Sequence, residues 1–143
     1  MANALYGKFK ESLLSQNPSI DLDTDTIMTI LAGQSADYTP NDSSHQFFSS
    51  LVGPYGNSGS TAYNGGATLG TKTVTLGVFD AADSTLTTVT AGNPCEHVIV
   101  FKSITDANNS PLICHMDSGT GIPVTPNGGD ILITWSGSGI FSL

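Results

Sequence analysis

The sequence predicts a mainly β chain, an antiparallel β-sandwich or jelly-roll-like domain carrying a short N-terminal α-helix. Three observations carry this expectation. Short apolar runs recur at close spacing and are separated by Gly, Pro and Asn clusters, which is how strands and tight turns alternate along an all-β chain. The first residues, up to about residue 16, show a sustained apolar repeat of helical period. Val98-Ile99-Val100-Phe101 is apolar throughout, as expected of a central strand covered on both faces.

From Asn3 to Ser15, Leu5, Phe9 and Leu13 recur at i, i+4 and i+8, with Tyr6 and Leu14 flanking the stripe and Lys8 and Lys10 opposite. This spacing predicts an amphipathic helix over residues 1–16, weakened by Gly7 by ~1 kcal/mol relative to Ala. A helix so short needs its stripe buried, against its own sheet or a neighbouring chain. Asn17-Pro18 stops it. Ile20, Leu22 and Ile27 to Leu31 predict a first strand with a bend or bulge near Thr24 to Thr26.

Asp42 reads as the N-cap of a brief helical turn, with Gln46 near the capping-box position and Phe47, Phe48 and Leu51 as its apolar face. Residues 53–66 form a glycine-rich loop without hydrophobic periodicity, and loops of that length in compact domains are usually functional or disordered. Tyr55 and Tyr63 within it are better suited to an interface than to water.

Val74, Leu76 and Val78 alternate with polar residues, predicting a strand with one buried face that Phe79 to Asp83 interrupts and Leu86 and Val89 resume. The run 98–101 then forms the middle of an antiparallel sheet, and Leu112 to Met116 forms a hairpin with it. Asp130 to Trp135 and Ile140 to Leu143 close the chain as two further strands, giving six or seven in all.

A length of 143 residues fits one domain over 1–143. Charged residues make up only 11%, so neutral polar groups must cover the surface. Four lysines and no arginine stand against twelve carboxylates, a formal net charge of −8, whereas phosphate neutralisation needs clustered basic groups. Nucleic acid and anionic membrane surfaces are thus excluded as expected partners, and no run approaches the ~20 apolar residues of a membrane span. With no signal-peptide pattern at the start, the expected site of synthesis and folding is a cytoplasm, where Cys95 and Cys114 stay reduced as buried free thiols.

Few constellations point to chemistry. Asp21-x-Asp23-x-Asp25 opens like a calcium loop, but Thr26 replaces the required glycine and no bidentate glutamate follows, so a solvated edge strand is the better account. Cys95, His97, Cys114 and His115 suggest zinc, yet adjacent Cys114 and His115 point oppositely in a strand while Cys95 and His97 share a face, leaving at most three to converge. His45 has no acid or nucleophile at a meaningful spacing, and neither a nucleophile elbow nor a phosphate or dinucleotide loop occurs. No catalytic residue, metal or cofactor is expected.

Three stretches, MANALYGKFKESLL, GVFDAADSTLTTVTAG and GIPVTPNGGDILITWSGSGIFSL, together resemble small structural proteins of tailed bacteriophages. The resemblance spans most of the chain and loosens between Val52 and Gly70. It implies a virion component, most like a capsid decoration or cement protein: a non-enzymatic β domain, typically trimeric, that clamps the major capsid protein on the particle surface after assembly in the host cytoplasm. On that reading the partners are the major capsid protein and further copies of the chain in a homotrimer. The expected partner-binding residues are Tyr55, Tyr63, Leu5, Phe9 and Leu13. The alternatives are a tail or head-to-tail joining component, or a host-receptor or carbohydrate-binding module with Trp135, Tyr55 and Tyr63 as stacking groups. Under the leading reading Trp135 fills the core.

Overall fold

The computed structural model describes residues 3–33, 38–51, 66–104 and 106–143. It is mainly β, with antiparallel sheets and one short N-terminal helix in a β-sandwich-like arrangement. The principal sheet has five strands in the order β1 (Ala4–Leu5), β8 (Leu112–Met116), β7 (His97–Lys102), β2 (Ile27–Ala32) and β3 (Ala67–Thr68). The apolar run 98–101 lies in the central strand β7, as its composition requires, and pairs on either side with β2 and β8. A register shift between Val100 and Phe101 marks a bulge against β8.

The chain between these long strands builds two small sheets. One comprises β4 (Thr73–Thr75), β5 (Val78–Asp80) and β10 (Phe141–Ser142), with β5 in the middle; the other pairs β6 (Ser84–Leu86) with β9 (Ile131–Ile133). Because pairs across an antiparallel ladder share a face, the register sorts the principal sheet into two surfaces. Ala32, His97, Ile99 and His115 point one way, whereas Leu31, Val98, Val100, Cys114 and Met116 point the other. The first surface lies against the segment 38–51, where Phe48 meets Phe101 at a ring-centroid distance of 4.5 Å and Tyr38 meets His97 at 5.9 Å. On the second surface Leu31 and Val98 pack with Leu86, Val89 and Cys95. Both faces of the sheet are thus buried, which explains the absence of a polar alternation in β7.

Several expectations need correction. The helix α1 runs Gly7–Ser15, so residues 3–6 do not belong to it; Ala4 and Leu5 pair with β8 and the Tyr6 N–H donates to the Ile113 carbonyl at 3.0 Å. Gly7 is no mere weakness in that helix. A Cβ there would lie 2.7 Å from the Asp42 carbonyl oxygen, which accepts the Gly7 N–H, so only glycine allows this close approach. The helix ends at Gln16, whose left-handed backbone returns its N–H to the Ser12 carbonyl.

Residues 20–26 are no strand. Asp21 accepts the N–H groups of Asp23 and Thr24, and Asp25 accepts that of Asp21, so the acidic triplet closes a turn on itself. Asp25 is further held by Lys102 at 2.7 Å, and its carbonyl accepts from Lys72. The carboxylates thus serve a turn rather than the solvated face of an edge strand. The brief turn expected after Asp42 starts one residue earlier: Asn41 Oδ1 accepts the N–H groups of Ser43 and Ser44, the Asn41 carbonyl accepts the His45 N–H at 2.9 Å, and a separate 3₁₀ turn follows at Phe48–Ser50.

The run 72–78 is not one strand either. Leu76 and Gly77 both have positive φ, 51° and 80°, and form the two-residue connection of a hairpin between Thr75 and Val78, the signature of a type I′ turn. Phe79, expected to interrupt a strand, is instead the buried centre of β5. The split of this run, together with β1 and β3 in stretches expected to be helix and loop, brings the expected six or seven strands to ten among the described residues. Lastly, β9 and β10 do not pair with each other, since β9 joins β6 and β10 joins β5.

Candidate functional site

Two surface features and one buried cluster stand out from the fold. The first feature is the tip of the β4–β5 hairpin. Leu76 is 99% exposed there, in a left-handed backbone conformation that costs a branched side chain about 1 to 2 kcal/mol. Beside it the Leu143 N–H donates to the Gly77 carbonyl at 3.0 Å, which brings the 67% exposed Leu143 to the same tip. Val74 on β4 is half exposed as well. A leucine exposed to water in a conformation suited to Asn or Gly forgoes both burial and an unstrained backbone.

The second feature is a groove of about 720 Å³. It is lined by Leu31, Val98 and Met116 on the second surface of the principal sheet and by Ile122. Ile131, Ile133 and Trp135 add further apolar lining, and Thr120, Thr134 and Ser136 add hydroxyls. None of the lining residues is charged, so in a chain of net charge −8 the groove favours an uncharged or apolar occupant. Trp135 is held by its own N–H to Asp83 Oδ1 at 3.0 Å and by indole Nε1 to Ser84 Oγ at 3.3 Å. It is only partly buried and bridges the two apolar clusters rather than filling either one, in contrast to the core position expected of it.

The buried cluster gathers all three histidines with two tyrosines. The hydroxyls of Tyr6 and Tyr38 lie 2.6 Å apart, and the Tyr38 hydroxyl is 3.2 Å from His45 Nδ1. His115 is bonded through Nε2 to Asp42 Oδ1 at 2.8 Å and stands edge-on to Tyr6. Burial, with the neighbouring Tyr38 adding to it, pushes the Tyr6 hydroxyl far above the usual phenolic range, so it is a donor or acceptor and not an acid near neutral pH. Burial also pushes the Cys114 thiol up to about 12, which leaves it protonated and unreactive. Cys95 is likewise buried and in no disulfide.

The four residues weighed as a zinc set are dispersed by the register. Cys95 packs with Leu31 and Val98, whereas His97 lies beneath Tyr38 on the opposite surface, so the shared face expected of them does not exist. Cys114 and His115 point apart as expected. Among the described residues, no group of three or more His, Cys, Asp or Glu side chains converges as a metal would require.

The residues expected to bind a partner fare differently. Tyr55 and Tyr63 lie outside the described residues. Phe9 is buried, edge-on to Phe141, and Leu5 and Leu13 are partly buried against the same core. Phe9 is therefore taken up by the core of its own chain, while Leu5, on β1, and Leu13 keep part of their surface exposed. Leu14, noted in the sequence only as a flank of the helical stripe, is 89% exposed. Sequence reasoning missed the Leu76 tip, although a Gly following Leu76 between Thr- and Val-rich runs was a legible hairpin signal. The meeting of His45, His97 and His115 had no such signal, because it arises from pairing across β7 and β8 and from the fold of segment 38–51.

No protein-family model matches the chain, and no curated protein matches its sequence.

Proposed function

We propose that the chain is a bacteriophage virion structural protein, a capsid decoration or cement protein that docks as a homotrimer on the major capsid protein and stabilises the shell. The observation that carries the docking part of this reading is the exposed apolar tip at Leu76 and Leu143, held by a strained turn that folding alone does not require. Charge supports the same reading: a net −8 keeps free copies soluble and away from the packaged genome. The three stretches that resemble phage structural proteins supply the assignment to a particle. Leu14 and Leu132, 89% and 63% exposed, are further apolar groups for contacts between copies or with the shell.

Sedimentation of the purified chain with undecorated shells of the major capsid protein tests this. Saturable co-sedimentation that Leu76→Asn weakens supports the reading; chain left wholly in the supernatant at micromolar concentration contradicts it. A second reading is favoured by Trp135, which edges an uncharged groove in the manner of a carbohydrate-stacking residue. Binding of neutral oligosaccharides that quenches Trp135 fluorescence, without any binding to shells, would select a receptor-binding module instead.

A further inference from the structure

Across the small three-stranded sheet the register sets Phe141, Phe79 and Val74 side by side on one face. Phe79 in the middle is buried and Phe141 is half-buried against it, but the row stops at Val74, which is half exposed on β4. The backbone ladder stops at the same residue. The two-residue turn at Leu76-Gly77 makes Thr75 and Val78 the hydrogen-bonded pair next to it, so Val74 and Phe79 form the following pair, without mutual hydrogen bonds. The Phe79 carbonyl accordingly turns to the other side, where it accepts the Ile140 N–H at 2.8 Å. The N–H and C=O of Val74 point away from β5, over an edge that no strand covers among the described residues.

That edge also lacks the devices that keep sheet edges from pairing. Thr73, Val74 and Thr75 carry neither charge nor proline, and their ladder with β5 runs without a bulge. Lys72, the charge that precedes them, is drawn aside to the Asp25 carbonyl at 2.6 Å. Among the described residues β4 is the one strand exposed at every position, whereas the edge strands β1, β3 and β10 have two residues each and are partly covered.

We propose that β4 is an acceptor edge: an extended segment of the capsid subunit adds to it as a fourth strand of the small sheet. The segment bonds the Val74 N–H and C=O and sets an apolar side chain beside Val74, continuing the row from Phe79. This role of β4 rests on the chain being a shell-binding protein, and it adds how the Leu76 hairpin is held. In strand addition of this kind main-chain bonds supply the attraction and the side chain beside the open row supplies the selectivity. A net charge of −8 and an uncharged β4 favour a segment free of carboxylates. A second copy is the poorer occupant, because β4 pairing with β4 of another copy is self-complementary and closes at two, which cannot be repeated around a three-fold group.

Hydrogen exchange of the chain, free and bound to undecorated shells of the major capsid protein, tests the edge. The Val74 amide should exchange readily in the free chain and slow by about tenfold or more on the shell, because it gains a bond that must open before exchange. The Thr75 amide, already bonded to β5, should be protected in both states. Val74→Pro removes the outward N–H without removing a bond to β5. It should weaken attachment by about tenfold beyond the loss from Val74→Ala, which keeps that N–H. Attachment with the Val74 amide still exchanging readily, or Val74→Pro attaching as Val74→Ala does, would overturn strand addition while leaving shell binding in place. No attachment of the parent chain would overturn both. Slowing of the Val74 amide in the free chain as its concentration rises would assign the edge to a second copy and equally overturn the proposal. Should Val74→Pro not fold, exchange in the parent chain decides alone.

Discussion

Phe9 on the N-terminal helix and Phe141 on the last strand meet edge to face, with ring centroids 5.8 Å apart and planes at 79°. Phe141 in turn lies 5.3 Å from Phe79 in the centre of the small three-stranded sheet. The two ends of the chain are therefore held together through one aromatic row, and the helix packs on the core of its own chain through Phe9.

Phe9→Ala should lower folding stability by about 3 to 5 kcal/mol, the cost of a large cavity in a packed site. Denaturant titration measures this. A loss under 1 kcal/mol would show that the helix is not packed on Phe141 and return its stripe to the list of candidate partner surfaces.

Leu76→Asn should separate folding from attachment. Asn tolerates the left-handed backbone, so the free chain should gain about 0.5 to 1 kcal/mol of stability in thermal or urea melts. Attachment to shells should weaken by about 1 to 3 kcal/mol, the range for truncating an apolar anchor. A variant less stable than the parent would show that the leucine contributes to the fold.

Trp135→Ala should destabilise by about 1 to 3 kcal/mol, less than the ~3 to 5 of a fully enclosed indole, because the ring edges the groove and is only partly buried. Urea midpoints of the variant and parent provide the comparison.

Cys114 makes the chain sensitive to alkali. The unfolded thiol loses its proton near the ordinary value of 9.0, whereas the buried one holds it to about 12, so the unfolded state binds fewer protons between those limits. Stability should then be unaffected at neutral pH and fall by about 1.4 kcal/mol per pH unit above 9, with Tyr6 acting in the same direction above 10. Cys114→Ala should shallow the decline. Thiol reagents at pH 8 should label neither cysteine until the chain is denatured.

Much of the fold was legible where local pattern and burial agree. The run 98–101 marked the central strand because a segment covered on both faces has no polar alternation, and its hairpin with 112–116 followed from the short connection. Legibility failed where a single residue served two purposes. Gly7 looked like a flaw in a helix, but it starts that helix at a close backbone approach. Leu76 fitted an alternating apolar pattern, yet its side chain faces water because the chain reverses there. Asp21, Asp23 and Asp25 alternated as a strand would, but the carboxylates of Asp21 and Asp25 bond backbone N–H groups of their own turn, a local competition that periodicity does not register. As for sites, the burial expected of the stripe is complete only at Phe9, and the sequence could not say that Phe141, over a hundred residues away, packs against that ring.

The central claim is attachment to a phage shell, and the copy number of the chain in purified particles tests it most directly. Quantitative mass spectrometry against the major capsid protein, with a cryo-EM map locating the density, should find the chain in a fixed ratio across the capsid lattice, grouped in threes, with the Leu76 hairpin tip against a capsid subunit. A few copies confined to the head-to-tail junction or tail, or none in the particle, would contradict the account.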